Sequence, residues 1–157
     1  MIQRKQTLYL FFAGLITTIL LFIPLGNIST ELAYYNYTAF SVREATPDGT
    51  LIMHTFYNAL FLIATSALSF ITIFLFKKRK LQLQLISFNM LVVLCAIFCI
   101  MYLYPNLFFN KNQFLTGAKI DYNYTILISF VSAIGLFMAK KAIAKDEAMI
   151  RSADRLR

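Results

Sequence analysis

The sequence predicts an all-α membrane protein, a bundle of four transmembrane helices with both termini in the cytoplasm. Three observations lead there. Of 157 residues, 59% are hydrophobic and 14% charged, against roughly half and a quarter in soluble domains. The apolar residues gather into four runs, about 7–25, 51–76, 81–103 and 122–139, and a run of about 20 crosses a bilayer as a helix. The cations stand between those runs, most densely at Lys77-Lys78-Arg79-Lys80. Four adjacent cations are held on the cytoplasmic side, which fixes the direction of every other segment. The chain reads as one membrane domain, 1–157, with a cytoplasmic amphipathic tail over 140–157.

The first run follows a short polar start carrying Arg4 and Lys5 and stops at Pro24, since proline cannot continue a helix interior. It is long for a signal-peptide core, and no small-residue cleavage site follows, so an uncleaved span is expected. Residues 26–50 form the first outer connection. Leu32 to Phe40 is rich in Tyr, Thr and Phe, which suit strands, and Thr46-Pro47-Asp48-Gly49 is a turn signal. Either a small β-hairpin or an irregular aromatic loop fits. The second run holds the single histidine, His54, near its outer end, and a set of small residues, Ala59, Ala64, Ser66, Ala67 and Ser69. Such residues allow a neighbouring helix to approach closely. The third begins Leu81-Gln82-Leu83-Gln84, with both amides expected in water, and ends at Tyr104-Pro105. Asn89 lies inside it and should face another helix. Cys95 and Cys99, at i, i+4, read as two buried thiols acting as small apolar groups. Asp121 is placed to cap the fourth helix, whose packing face carries Ser129, Ser132, Ala133, Gly135 and Ala139.

This topology puts twelve of the fifteen Lys and Arg inside, with three carboxylates, and leaves three cations and four carboxylates outside. The net charge of +8 is then a consequence of orientation. Basicity gives no support for nucleic acid or a ribosome as partner. No Asp, Glu, Lys or Arg falls inside the four runs, which lowers the odds of an ion-coupled transporter. No Ser-His-Asp set, HExxH helix or phosphate loop is present, so no catalytic, metal or cofactor residues are nominated and a non-enzymatic role is expected. Past Lys141, Ala142, Ile143, Met149, Ile150, Ala153 and Leu156 fall on one helical face. An amphipathic helix of this kind lies on anionic lipid headgroups or docks on a partner protein.

Met1-Ile2-Gln3-Arg4, Leu21-Phe22 with Pro24, Arg79-Lys80-Leu81-Gln82, Lys145-Asp146-Glu147 and the terminal Arg151-Ser152-Ala153-Asp154-Arg155-Leu156-Arg157 resemble the motifs of a family built on a domain of unknown function. That family comprises small four-span inner-membrane proteins of Bacteroidota-type bacteria. The resemblance covers the whole chain and implies a bacterial inner membrane, but no activity. Its motif positions point to a partner-binding set of Gln3, Arg4, Arg79, Lys80, Gln82, Glu147, Arg151, Asp154, Arg155 and Arg157, all mapped to the cytoplasmic side. Asp154 or Glu147 is expected to pair with a cation of the 77–80 block.

The leading functional expectation is an accessory or assembly subunit of a larger membrane complex, with the bilayer and a membrane protein as partners. The alternative is a binding or transport module for a lipid or other lipophilic molecule. A third reading, an enzyme acting on lipid, needs His54 close to Asp121 or Glu44.

Overall fold

The computed structural model of the protein describes residues 5–30, 33–111, 119–122 and 124–155. The element order is α1 (Lys5–Leu20), β1 (Gly26–Ser29), β2 (Tyr34–Tyr37), β3 (Ser41–Glu44), β4 (Leu51–His54), α2 (Phe56–Phe74), α3 (Arg79–Phe98), a π-helical segment (Cys99–Leu103), α4 (Tyr104–Lys111), β5 (Lys119–Tyr122) and α5 (Thr125–Arg155). The four strands after α1 and the one before α5 form a single antiparallel sheet in the order β4-β3-β2-β1-β5.

This sheet overturns the expected all-α four-helix bundle. Among the described residues, three helical stretches are long and apolar enough to cross a membrane: Phe56–Phe74, Arg79–Asn110 and Thr125–Met149. The first expected span has become the shorter α1, of 16 residues. Its run was overestimated because Leu21–Leu25 is apolar but turns back. Leu21 and Phe22 donate to Thr18 O and Ile19 O, and Leu25 N donates to Tyr37 O at 2.7 Å, the chain's entry into the sheet. Likewise Leu51–His54 is strand β4, and Tyr122 belongs to β5. Asp121 does not cap a helix, because its backbone is paired with Asn27 in the sheet. At the turn before β4, Gly49 takes a φ of 52°, a conformation that favours glycine.

Four helix pairs pack together: α1 with α2, α2 with α3, α3 with α5, and α5 with α1. Their interior places polar side chains among the apolar ones. Thr17, Thr65, Ser69, Thr72, Asn89 and Ser132 are all fully buried, while Phe12, Phe56, Phe74, Phe88, Leu91, Leu94, Leu127, Ile134 and Phe137 face outward. Water would not tolerate that exterior, whereas hydrocarbon would. The expectation for Asn89 holds: its Nδ2 donates to Ser69 Oγ at 2.9 Å and Thr65 O at 3.2 Å on α2. Of the small residues expected at the α2 interface, Ala59, Ser66 and Ser69 are buried, whereas Ala67 is exposed.

The core has two layers. Near the sheet, Leu20, Leu25, Ile28, Tyr35, Tyr37, Val42, Leu62, Ile100 and Phe108 cluster. Toward the other pole, Leu10, Ala13, Ile86, Val93, Leu136, Ala139 and Ile143 do so. Sheet and α2–α3 turn therefore mark opposite ends of the molecule.

Candidate functional site

Two places concentrate unusual chemistry. The first is the junction of sheet and helices. Pro105 has no N–H, so Met101 O, four residues back, loses its helical donor. Tyr104 N–H reaches Cys99 O, a π-type bond that also leaves Ile100 O free. Two tyrosines from the sheet occupy the freed carbonyls. Tyr122 OH donates to Met101 O at 3.0 Å, and Tyr37 OH to Ile100 O at 3.4 Å. Tyr37 OH also accepts from Asn58 Nδ2, and Tyr104 OH accepts from Tyr57 N at 3.0 Å. The helix expected to end at Tyr104-Pro105 instead continues to Lys111, since proline is tolerated in a first turn. The crevice lined by Ile28, Tyr37, Val42, Tyr104, Pro105, Phe108 and Ile120 admits no water. This junction is a packed joint.

Burial pushes the Tyr37 phenol far above its ordinary value, opposed by the Asn58 hydrogen bond, and burial raises Tyr122 as well. The folded state holds both protons. The stability this contributes is whole below the unfolded tyrosine value of about 10 and is lost as pH rises toward the folded values. Thermal unfolding in detergent should therefore show falling stability above pH 10, and Tyr37→Phe should flatten that fall. Parallel alkaline profiles would refute the assignment.

The sheet's outward face carries one cross-strand row, Asp121–Asn27–Asn36–Arg43, all exposed. Beside it lies an open cleft of about 570 Å³ whose lining includes Asn36, Thr38, Arg43, Glu44 and Thr46. The cluster that an enzyme reading needed does not assemble. His54 and Asp121 stand on opposite edge strands, four strand spacings or roughly 19 Å apart. Glu44 lies three residues along β3 from the partner of His54, about 10 Å away, and accepts from Thr50 Oγ1.

The second place is the pole opposite the sheet. It gathers the 77–80 block, the start of α1 and the charged part of α5. Gln6 on α1 reaches α5, where its Nε2 donates to Ala142 O and to the Asp146 carboxylate. Of the residues expected to bind a partner, Arg79 and Lys80 open α3 and Glu147 lies on α5. Arg151, Asp154 and Arg155 belong to the last turns of α5, with side chains outside the described residues, as are Gln3, Arg4 and Arg157. The expected pairing through Asp154 also falls outside them. Gln82 is a correction: it is 5% exposed and its Nε2 donates to Thr72 O at 3.1 Å. Its amide satisfies a carbonyl at the end of α2, while Gln84 alone of that pair is exposed. The tail's expected apolar face is divided, with Ile143 buried and Met149 half exposed.

The sequence reading passed over the Tyr37, Asn58, Tyr104 and Tyr122 joint. Its signal was Pro105, which obliges a helix carbonyl to find another donor.

Fold and sites together define a membrane-associated protein whose helices have an apolar exterior and an interior of mixed apolar and polar groups, closed at one pole by an antiparallel sheet. The chain belongs to the family described as Domain of unknown function (DUF4293), whose model matches residues 2–156. No functionally curated protein matches it.

Proposed function

We propose that the protein is a non-enzymatic accessory or assembly subunit of a larger inner-membrane complex of Bacteroidota-type bacteria. In this reading the 77–80 block and both termini lie on the cytoplasmic side. This orientation has α1 cross as well, its length of about 24 Å matched to the hydrocarbon core by local thinning of the bilayer.

The observation that carries the reading is α5. It runs unbroken for 31 residues, about 46 Å against a hydrocarbon core of about 30 Å. Its apolar part ends before Lys140-Lys141. From Lys140 the helix continues past the apolar run, held against α1 by Ile143 and by the Gln6 bonds to Ala142 O and Asp146, and its last residues, 148–155, about 12 Å, project further. A lever rigidly joined to the membrane domain suits docking on a neighbouring subunit, because little ordering entropy is lost when it binds.

Affinity purification from native membranes in mild detergent tests this. A membrane-protein partner is expected at fixed stoichiometry, with a matching larger species on a native gel. Arg151→Glu/Arg155→Glu should abolish it, and Arg43→Glu at the sheet pole should leave it intact. Solitary migration of the wild-type protein would refute the proposal.

A further inference from the structure

The corner between α2 and α3 forms a groove of about 480 Å³ lined by Phe74, Leu75, Phe76, Lys77, Lys78 and Leu81. Its composition is two-sided. Phe74 is 79% exposed, Phe76 57% and Leu81 44%, large apolar surfaces at the end of a spanning helix. Lys77, Lys78 and Lys80 are exposed beside them, and none of the described residues lining the groove is a carboxylate.

The backbone adds to the positive charge. α3 starts here with Lys78 as its cap residue, no side-chain hydrogen bond to its first amides and no acid in its first turn. Its N-terminal N–H groups and dipole therefore favour an anion. Among the described residues, Arg79 Nη1 is buried without a hydrogen-bond partner. Asp146, at the same pole, is engaged by Gln6. The corner is also held in shape. Gln82 bonds Thr72 O, Leu75 N donates to Thr72 O, and Lys78 N donates to Leu75 O at 2.9 Å.

Cations at headgroup depth above exposed aromatic and aliphatic surface match one ligand class. A soluble anion would use the lysines and leave Phe74 and Phe76 idle. We propose that this groove binds an anionic phospholipid, its phosphate held by Lys77 and Lys78 and its acyl chains lying on Phe74, Phe76 and Leu81. The inference is independent of the subunit role.

Native mass spectrometry of the full-length protein in mild detergent tests it, with phosphatidylglycerol and phosphatidylcholine of equal chain length as probes. Phosphatidylglycerol adducts should form at the lower lipid concentration. Removal of each lysine should weaken them about fivefold, so that Lys77→Ala/Lys78→Ala erases the preference. Lys77→Arg/Lys78→Arg should keep it, as should Lys140→Ala/Lys141→Ala, which removes the same charge elsewhere. Phe74→Ala/Phe76→Ala should weaken both lipids alike. Circular dichroism melts ensure that only folded variants are compared, and the Arg pair serves if the Ala pair unfolds. Equal binding of the two lipids, equal loss in the 140/141 variant, or displacement by millimolar inorganic phosphate would each overturn the proposal.

Discussion

Tyr37→Ala is expected to cost about 3–5 kcal/mol, as large aromatic truncations in cores do. Few single changes in this chain should match it. The side chain is 1% exposed and lies among Ile28, Val42, Ile100 and Phe108 in the sheet-side core. The crevice around it is already too narrow for water, so the truncation would open a cavity in a closely packed region. The hydroxyl adds a second loss. Without it Asn58, fully buried with Oδ1 already unpartnered, would have no bond for Nδ2 either. Tyr37→Phe isolates that loss and should cost about 1–3 kcal/mol. With total stabilities of about 5–15 kcal/mol, the alanine variant should lose sheet and helices together. Denaturant unfolding in detergent, followed by circular dichroism, measures both. Tyr34→Ala is the control: it is on the same strand but 69% exposed, and should change stability by about 0.5 kcal/mol or less. Equal effects at 34 and 37 would remove Tyr37 from its role as the fastener.

Why the sheet escaped the sequence reading follows from its residues. Tyr34-Tyr35-Asn36-Tyr37 alternates exposed and buried, and the strand propensity of its tyrosines is legible in the sequence. Leu51-Ile52-Met53-His54 is apolar and continuous with α2, and a short apolar run has no period that separates strand from helix. The break is Thr55, whose hydroxyl donates to Thr38 O and Ala39 O, across the sheet rather than along a helix. β5 pairs with β1 from some 90 residues away. Gly26-Asn27-Ile28-Ser29 and Lys119-Ile120-Asp121-Tyr122 are too short and mixed to announce each other.

The helical interior was partly readable. An amide in an apolar run must find a partner, so Asn89 pointed inward from sequence alone. The stripe Asn58, Thr65, Ser69 and Thr72 on α2 has the same logic at spacings of seven, four and three, yet only Ser69 of it falls within the small-residue set that the sequence points to. At the cationic pole, the polarity of Gln82 predicts an amide in water. It turned inward because the end of α2 leaves carbonyls that need a donor.

Gly14→Leu is the second large effect expected, about 3 kcal/mol or more of destabilisation, at the upper end for overpacking. A Cβ at Gly14 would stand 3.2 Å from Phe70 Cζ and Ser69 Cβ on α2. Leucine's further carbons have nowhere to go unless the helices part. Their separation would break the bonds that converge there. Ser66 Oγ lies 2.7 Å from Thr18 Oγ1 and 3.4 Å from Gly14 O, and on the far side of α1 Ser132 Oγ donates to Ala13 O at 3.3 Å. Each such bond contributes about 0.6 kcal/mol in a membrane interior, so steric exclusion dominates the expected loss. The short α1 has little other purchase, since its 16 residues pack chiefly on α2 and α5. Gly135 offers the contrast. A Cβ there meets Ala13 Cβ at 3.6 Å and Tyr9 O at 3.7 Å, ordinary contacts. Gly135→Ala should therefore be neutral or stabilising by up to about 1 kcal/mol through helix propensity. Both glycines sit at helix contacts, yet only Gly14 is needed for close approach. If unfolding in detergent moved the two variants in the same direction by similar amounts, the α1–α2 contact at Gly14 would not be what seats the first helix.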